Sequence, residues 1–383
     1  MRVLFLHTAR EWSGTARAFA RAGRGLAERG AKVTLLVPPD SNVEIGVSAR
    51  RGSHRPDGAP PEEPYEVIPF SSDGMAYFAA RRMRKLFRRW DTDAVFVTTD
   101  REHLIAAIAC FLARGGSVVR RAPAGVRLEM GFSGRFASRL ARTTFLFASE
   151  SDRRNAVLPQ GALDSAVAEL GVDAQQYASN GDGKGGEPEE AGADTAAERL
   201  KYIVCVYDPT SRGRAATAIR TLSMLTPRHP DLRLIIVGAG SDDEDLRMQA
   251  AALRILHLVS FLGERDDEVR LMQDAHLGWV VAEGDTAAYG LLDLMALAVP
   301  VVASEGGIAQ RYVAHGISGT LYPPDDSAST AAAVAGLLAS EEQRAAMGRA
   351  ARTRVTREFP ESEMIDGFDR AANIALKRSK PKA

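Results

Sequence analysis

Short runs of apolar and β-branched residues alternate with longer segments of helical periodicity along most of the chain. In the first half, the runs predict strands at residues 3–6, 32–37, 65–69, 94–98, 117–120 and 144–148. The segments between them predict helices at residues 15–29, 74–89, 101–114 and 133–142. Because successive parallel strands need a crossover, which is usually a helix, this order predicts a parallel sheet covered by helices on both faces.

The alternation stops once and then restarts. Residues 179–197 include Asn-Gly-Asp-Gly-Lys-Gly-Gly and have almost no apolar side chains to offset the entropy lost on ordering. Beyond this stretch, strands are predicted at residues 202–206, 232–237, 258–261, 277–281 and 299–303. The chain is therefore predicted to form two doubly wound α/β domains, with ligands at the carboxyl ends of the strands and in the cleft between the domains.

These patterns set the expected domain boundaries. We expect an N-terminal Rossmann-like domain over residues 1–177, a flexible linker over residues 178–198 and a C-terminal Rossmann-like domain over residues 199–360. Residues 361–383 are expected to form a C-terminal helix that returns to the N-terminal domain, followed by a tail. Residues 42–64 are rich in Gly, Pro and Arg without periodicity, and they are predicted to be a loop.

Charge is distributed unevenly between the two halves of the chain. The 383 residues carry 49 basic and 49 acidic side chains, but residues 1–160 carry 26 basic and 16 acidic ones. This asymmetry indicates that the first half faces something anionic, whereas a net charge of zero argues against a protein that binds nucleic acid through bulk charge. The hydrophobic fraction of 45% excludes wholesale disorder.

The two cysteines, Cys110 and Cys205, lie in apolar runs and are predicted to be buried thiols rather than parts of a disulfide framework. No spacing of His and Cys resembles a zinc site. The longest uncharged apolar run, residues 104–113, is too short to cross a bilayer, and the first seven residues resemble a buried strand rather than a signal peptide. A cytoplasmic protein is expected.

The first candidate site follows the first predicted strand. Ser13, Gly14 and Thr15 stand directly before a helix, where an anion can approach the backbone N–H groups of the helix start. Alternatively, Ser13 or Thr15 caps the helix and Gly14 makes the turn. A similar turn at residues 237–241, Val-Gly-Ala-Gly-Ser, lacks the third glycine of a dinucleotide fingerprint and is interpreted as a plain connection.

The second candidate site is acidic. A loop that carries Asp285 leads into a helix whose first turns carry Asp293. Carboxylates accept hydrogen bonds from sugar hydroxyls, and the start of a helix beside them favours a phosphate. Alternatively, Asp285 caps the helix and Asp293 faces solvent.

The third candidate is a basic, amphipathic helix at residues 76–90. It carries six positive charges and no negative one, together with the apolar side chains of Tyr77, Phe78, Met83, Leu86, Phe87 and Trp90. Such a helix either lies peripherally on an anionic membrane, here the inner face, or docks on its own sheet with the arginines in water.

The order of several segments resembles the GT-B glycosyltransferases of family 4. The N-terminal half contributes the opening Met-Arg-Val-Leu-Phe-Leu-His, the Trp-Ser-Gly at residues 12–14 and residues 171–177, which resemble the family's Gly-Val-Asp…Phe segment. The C-terminal half contributes residues 232–240, 261–265, 298–304, 305–307 and 315–324. The resemblance covers nearly the whole chain and implies two Rossmann-like domains that face a central cleft.

The resemblance also implies a reaction. A C-terminal domain that binds a nucleotide-sugar would donate a hexose, with retention and without metal or cofactor, to a glycan or lipid-linked acceptor on the N-terminal domain. The family's Glu-x7-Glu motif falls on Asp285, which would face the donor sugar, and Asp293, which would face the ribose. The other implied ligands are the backbone amides of Ala288, Tyr289 and Gly290 for the diphosphate, Arg212 in place of a lysine, and Ser13 and Gly14 near donor and acceptor.

The sequence departs from the family pattern at several of these positions. Both acids of the motif are aspartates, and Thr286-Ala287-Ala288 replaces Gly-Phe-Gly. An arginine expected after the first strand of the second domain is lost at or near Asp208. A histidine expected near the end of the fourth strand is replaced by Arg120-Arg121, and no residue is assigned as a general base.

Three hypotheses follow. The first is a retaining hexosyltransferase that acts on an envelope lipid, a polysaccharide precursor or another glycan. The second is a catalytically inactive GT-B protein that serves as the partner subunit of another glycosyltransferase, and the third is a sugar-nucleotide epimerase. Nucleotide binding separates the second from the others, and sugar transfer separates the first from the third.

Overall fold

A computed structural model describes residues 1–49, 65–159, 164–177, 200–265, 267–324 and 326–379. The chain divides into two compact units, Met1–Leu170 with the chain from Ser362 onward, and Gly171–Glu361. The predicted linker, residues 178–198, lies outside the described residues, and so does most of the loop predicted at residues 42–64.

The N-terminal unit is built on a parallel sheet of seven strands in the order β3-β2-β1-β4-β5-β6-β7. The strands are β1 (Arg2–Leu6), β2 (Lys32–Val37), β3 (Glu66–Pro69), β4 (Ala94–Val97), β5 (Ser117–Arg121), β6 (Thr143–Phe147) and β7 (Ser165–Val167). The helices between them are α1 (Gly14–Glu28), α2 (Asn42–Ala49), α3 (Ala76–Trp90), α4 (Asp100–Ala113), α5 (Phe132–Leu140) and α6 (Glu150–Asn155).

The C-terminal unit repeats this plan with six parallel strands in the order β10-β9-β8-β11-β12-β13. The strands are β8 (Lys201–Val206), β9 (Leu232–Val237), β10 (Val259–Phe261), β11 (Leu277–Val280), β12 (Val301–Ser304) and β13 (Gly319–Tyr322). The helices are α7 (Arg212–Leu225), α8 (Glu244–Ala252), α9 (Glu268–Gln273), α10 (Gly284–Ala296), α11 (Gly307–Tyr312), α12 (Ser327–Ala339) and α13 (Glu341–Glu358). The predicted fold class, doubly wound parallel α/β, is confirmed for both units.

The last helix, α14 (Glu361–Ser379), packs on the N-terminal unit. Its Phe368 extends an aromatic stack in which the rings of Phe5 and Phe96 lie 4.8 Å apart and those of Phe96 and Phe368 lie 5.5 Å apart. A side chain at Gly25 of α1 would collide with Ile365, so the absence of a Cβ allows the two helices to approach. Stacked rings of this kind stabilise a core beyond the area that they bury.

Residues 171–177 belong to the C-terminal unit, although the sequence places them before the linker. Val172 pairs with Pro360 as an isolated bridge, and its N–H donates to the Phe359 carbonyl at 3.1 Å. A Cβ on Gly171 would lie 2.6 Å from the Pro360 carbonyl oxygen, so this contact requires glycine. The boundary between the units therefore falls at Leu170 rather than at the expected residue 177.

The structure differs from the sequence expectation in four elements. Residues 42–49 form α2 instead of a loop, and helix α6 and the short strands β7 and β13 were not expected. The prediction of buried thiols is confirmed, since Cys110 is 4% and Cys205 0% exposed. Burial raises the pKa of Cys110 to about 12 and raises the pKa of Cys205 further. Among the described residues, no helix combines the length and the apolar character needed to span a membrane.

Two helical glycines give a direct test of packing in the C-terminal unit. A Cβ on Gly348, inside α13, would overlap the backbone of Ala298, whereas a Cβ on Gly336 of α12 would meet no atom within 4 Å. We expect Gly348→Ala to lower the free energy of unfolding by about 1–3 kcal/mol, because overpacking outweighs the gain in helix propensity.

Gly336→Ala is the matched control, and it should raise the free energy of unfolding by about 0.5–1 kcal/mol because only the propensity term operates. Urea unfolding followed by circular dichroism measures both changes. Equal stabilisation by the two substitutions would contradict the packing of α13 described here.

Candidate functional site

The strand order of the C-terminal unit places β8 next to β11, at the point where successive connections leave toward opposite sides of the sheet. Ligands of doubly wound sheets bind at such a switch point, outside the carboxyl ends of the strands. Val206 ends β8 and Val280 ends β11 in neighbouring register, so the loops that follow them border this crevice. The candidate site is built from these two loops and from the helices that they start.

Asp208 joins the two loops. Its Oδ2 accepts a hydrogen bond from the backbone N–H of Glu283 at 2.5 Å, and its Oδ1 accepts one from the N–H of Thr210 at 2.8 Å. The same carboxylate caps the short 3-10 turn Pro209–Ser211. Asp208 therefore holds the two loops together at the switch point. It stands at or near the position of the arginine that the resemblance leads us to expect.

Arg214, from the first turn of α7, reaches across to the other loop. Its Nε donates to the Val281 carbonyl at 2.7 Å, and its Nη1 pairs with Glu283 at 2.7 Å. Its Nη2 is buried and has no hydrogen-bond partner among the described residues. No local pattern marks this residue, because its contacts lie 67 and 69 positions away in the chain.

Arg212, the predicted diphosphate ligand, is engaged by acids of its own domain. Its guanidinium pairs with Asp243 at 2.5 Å and with Asp245 at 2.8 Å, both at the start of α8. The neighbouring Asp243 carboxylate raises the pKa of Arg212 above its ordinary value. The side chain is 56% exposed, so solvent screens these pairs and an incoming diphosphate can compete for the same guanidinium.

The two acids of the predicted donor motif are both buried on α10. Asp285 lies in the first turn and is 3% exposed, and Asp293 is 2% exposed. Eight residues separate them, which corresponds to about 12 Å along a helix axis. The alternative of a solvated Asp293 is therefore excluded, and the two carboxylates lie on the helix that leaves the switch point.

Asp293 is held by a residue that precedes the linker. The phenolic O–H of Tyr177 donates to Asp293 Oδ1 at 2.5 Å, and Tyr177 is 5% exposed. A ribose that used this carboxylate would meet an oxygen already hydrogen-bonded. The resemblance pointed to Asp293 and to the segment that ends in Tyr177, but not to the bond between them.

Ala288, Tyr289 and Gly290 lie inside α10, which begins at Gly284. Within an α-helix each amide N–H donates to the carbonyl four residues earlier, so these three amides serve the helix itself. The positive end of the helix dipole lies at the first turn, which begins at Gly284. Gly290 has a packing role, because a Cβ there would lie 2.9 Å from Cγ1 of Val206.

In the N-terminal unit, Ser13 caps α1, and its side chain accepts from the N–H of Ala16 at 3.3 Å. Gly14 is buried at the first helical position, so both residues fit the capping interpretation of this turn. The turn at residues 237–241 is also structural, since Ser241 Oγ accepts from the N–H of Gly263 at 2.9 Å and a Cβ on Gly238 would overlap Tyr207.

Glu102 organises the switch point of the N-terminal unit. It is 1% exposed, and its carboxylate accepts from the Thr8 N–H and hydroxyl at 2.8 and 2.9 Å and from the N–H groups of Thr98 and Thr99 at 2.8 and 2.9 Å. The loops after β1 and β4 are thereby fixed to one another. Sequence reasoning missed Glu102, although the Thr-x-x-Glu of a capping box marks it at the start of α4.

Within the described residues, no group of three or more His, Cys, Asp and Glu side chains is arranged to hold a metal ion. His103, which is fully buried, bonds through Nε2 with the Thr143 hydroxyl at 3.0 Å. Burial, and the nearby Arg120, lower the pKa of His103 to about 3, so this imidazole is neutral at physiological pH. A reaction without metal stays a prediction.

Two doubly wound parallel domains in tandem are a feature of the GT-B fold. An Anabaena protein, HepE, solved in complex with UDP-glucose, is similar over 98% of this chain and 100% of its own, with a TM-score of 0.73 and 17% identity. Residues 189–354 match the family model described as Glycosyl transferases group 1. The predicted resemblance to GT-B glycosyltransferases is therefore confirmed, whereas membership of family 4 stays a prediction.

Curated relatives are similar over part of their length. The phosphatidyl-myo-inositol mannosyltransferase of Mycolicibacterium smegmatis is 37% identical over 159 residues, which are 39% of each chain. The GDP-mannose-dependent alpha-(1-6)-phosphatidylinositol monomannoside mannosyltransferase of the same organism is 30% identical over 226 residues, which cover 57% of this chain and 56% of that protein. The chain thus spans less than two thirds of the length of either relative.

The Tyr177–Asp293 bond gives a prediction for stability. Removing the phenolic hydroxyl with Tyr177→Phe takes a donor from a buried carboxylate, so the free energy of unfolding should fall by about 1.5–3 kcal/mol. Urea unfolding monitored by circular dichroism measures the change.

Tyr202→Phe is the matched control, because the Tyr202 hydroxyl has no hydrogen-bond partner in the part of the chain that the structure describes. This substitution should change the free energy of unfolding by less than about 0.5 kcal/mol. If the two variants proved equally stable, Tyr177 would not hold Asp293 in solution.

Proposed function

We propose that the protein is a glycosyltransferase that moves a hexose, with retention, from a nucleoside-diphosphate sugar to an envelope lipid, a polysaccharide or another glycan. One observation carries the proposal. Asp285 and Asp293, spaced as in the family's donor motif, lie on the helix that leaves the switch point of the unit that contains the whole group 1 match. Two relatives in which a similar segment occurs are named mannosyltransferases, and one of them is named as GDP-mannose-dependent.

The donor end of the reaction rests on the start of α10. A leaving diphosphate develops negative charge, and the positive end of a helix dipole together with a cation stabilises such charge. Arg212 supplies that cation once it exchanges Asp243 and Asp245 for the phosphates. The relatives point to two donors, GDP-mannose and UDP-glucose, so guanine and uracil nucleotides are the first to test.

For the acceptor we propose a lipid-linked molecule at a membrane surface. The relatives named above act on phosphatidylinositol derivatives, and α3 offers a surface of matching chemistry. Ala79, Met83 and Phe87 are buried against the sheet, whereas Phe78 is 52% exposed among outward basic residues. An exposed aromatic beside cations suits an anionic bilayer interface.

A second candidate function, that of a catalytically inactive partner subunit, is favoured by specific contacts. Tyr177 occupies Asp293, and Asp243 and Asp245 neutralise Arg212. A candidate donor site whose Asp293 and Arg212 are both paired with the protein's own side chains is what a protein without a donor would keep. The two functions differ in one property, the affinity for a nucleotide.

Calorimetric titration with UDP, GDP and ADP tests the donor site. We expect micromolar binding of one nucleotide, and a tenfold or greater loss in Asp293→Ala, because a carboxylate–hydroxyl bond contributes about 1.5–3 kcal/mol. Asp267→Ala, which removes an exposed acid at the start of α9, is the control and should bind as the wild type does.

The outcomes separate the three hypotheses. If none of the three nucleotides binds, the transferase proposal fails and the partner-subunit function replaces it. If one binds, incubation with its sugar conjugates and a lipid extract distinguishes a transferred sugar from an epimerised one. Unchanged binding in Asp293→Ala would remove the ribose role from that residue.

Vesicle co-sedimentation tests the membrane proposal. The protein should bind phosphatidylcholine vesicles that contain phosphatidylglycerol and not those without it. The double variant Arg81→Gln, Lys85→Gln, whose two side chains are exposed on α3, should lose about 1 kcal/mol of binding free energy per charge. As the control, Arg349→Gln with Arg352→Gln removes two positive charges from α13. An equal loss of vesicle binding in this control would show that binding depends on net charge and not on the surface of α3.

A further inference from the structure

Arg120 is a buried cation at the carboxyl edge of the N-terminal sheet. It is the fourth residue of β5, and its side chain is 6% exposed. Alternation along the strand places it on the same face as Val118, which packs among core residues of α3 and α4. The charge is thus held under helices rather than in solvent.

Most hydrogen-bond donors of this guanidinium have no protein partner. Nη2 donates to Asp100 Oδ1 at 3.1 Å. Nε and Nη1 are buried, and neither has a hydrogen-bond partner among the described residues. Since Nε carries one hydrogen and Nη1 two, three of the five N–H bonds of the side chain are unpaired. Buried cationic donors without acceptors are rare in native proteins, which indicates that an acceptor is missing.

The other carboxylate near Arg120 cannot supply those bonds. Glu102, which acts on Arg120 electrostatically, already accepts four hydrogen bonds from the loops after β1 and β4. A carboxylate has about four acceptor positions, so this one is saturated. Asp100 is therefore the hydrogen-bonding counter-ion of Arg120 within the described residues.

Asp100 also binds the start of a second helix. Its Oδ2 accepts from the N–H of Gly131, the N-cap of α5, at 2.8 Å, and a Cβ on Gly134 would lie 2.5 Å from its Oδ1. Arg120 and the N-terminus of α5 thus converge on one protein carboxylate. The Asp100 side chain is 25% exposed, so this position communicates with solvent.

A basic groove leads to the same place. Gly131 lines a cavity of about 1050 Å³ whose charged lining consists of four arginines and one glutamate: Arg127, Arg135, Arg139, Arg142 and Glu129. A concave surface with an excess of positive charge raises the local concentration of anions. Anions are therefore attracted to the rim beside Asp100.

We propose that Arg120, with the start of α5, binds an oxyanion, a phosphate or a carboxylate carried by the acceptor. The anion enters beside Asp100 and takes the N–H groups that Asp100 leaves unpaired. The assignment of the anion to an acceptor rests on the proposed glycosyltransferase function, whereas the anion site itself does not. A charged acceptor, rather than a neutral glycan, is the substrate class that this site selects.

Thermal unfolding at constant ionic strength tests the site, with inorganic phosphate and acetate as separate probes and chloride as the reference. A ligand that binds the folded state raises the melting temperature with its concentration. We expect phosphate or acetate to do so for the full-length wild type, and Arg120→Met to abolish the effect. The probe that acts identifies the anion as phosphate or carboxylate.

Arg121→Met is the matched control. Arg121 is the next residue of β5, is 0% exposed and lies with its guanidinium carbon 5.9 Å from the ring centroid of Phe368, on the opposite face of the sheet. This variant loses an equally buried arginine and should keep the response to the anion. An equal response in Arg120→Met and wild type, or no response of the wild type beyond that to chloride, would overturn the proposal.

Two further variants keep the test decisive. If Arg120→Met does not fold, Asp100→Asn removes the competing negative charge and should tighten the binding of the anion by roughly tenfold, with no tightening counting against the site. Asp267→Ala, an exposed position at the start of α9 in the C-terminal unit, should leave the anion response unchanged. If phosphate raises the melting temperature but no nucleotide binds, the anion site is supported and the proposed glycosyltransferase function is contradicted.

Discussion

At the switch point of each sheet, the two loops that diverge have backbone N–H groups that need hydrogen-bond acceptors. The structure of both units depends on how these N–H groups are satisfied. Neighbouring strands there send their connections to opposite sides, so the two loops cannot satisfy one another as a continuing sheet would. In each unit, one carboxylate accepts hydrogen bonds from both loops. Glu102 collects donors from the loops after β1 and β4, and Asp208 collects donors from the loops after β8 and β11.

This solution fixes the geometry of the loops before any ligand arrives. In the C-terminal unit, the acid that holds the loops is joined by Arg214 and Glu283, whose pair spans the same crevice. The remaining cation, Arg212, rests on two acids of α8. A ligand therefore binds by exchanging partners with groups that are already paired, and its affinity depends on the difference between two sets of hydrogen bonds rather than on a new set alone.

The strands could be predicted from sequence because buried parallel strands are continuous apolar runs, and residues 32–37 and 232–237 match β2 and β9 without error. Helix α2 could not be predicted from sequence, because Gly46 lowers the helix propensity of this segment. The presence of glycine there is explained only by a tertiary contact. A Cβ there would lie 2.7 Å from the ring of Trp12, so the position requires glycine within the helix.

For the candidate site too, local features could be predicted from the sequence, but contacts between distant residues could not. The sequence predicts a loop at Asp285 and a helix at Asp293, whereas in the structure α10 begins at Gly284 and carries both acids. The contacts of Glu102 with Thr8 span 94 positions, and no local pattern encodes them. The amides expected at residues 288–290 failed for a local reason, since α10 begins at Gly284 and draws them into its own hydrogen bonds.

Two departures from the family pattern meet in one hydrogen bond. Asp293 is one methylene shorter than the glutamate that the motif implies, and Tyr177 adds a hydroxyl to the expected phenylalanine. The added hydroxyl donates to the shortened acid, and both side chains are nearly fully buried. Reverting either residue alone would disturb a buried polar contact, because the carboxylate would lose a donor or the phenol would lose the room that the shorter acid leaves.

The change from glutamate to aspartate at residue 293 is therefore accompanied by a new hydrogen bond with Tyr177, so it is more than the loss of a family residue. Its position matters, because Tyr177 ends the segment that Val172 anchors to Pro360. The orientation of Asp293 on α10 is thus set from the point where the chain enters the C-terminal unit. A nucleotide that engages Asp293 must share the carboxylate with Tyr177 or displace it, and either event alters the packing of that entry segment.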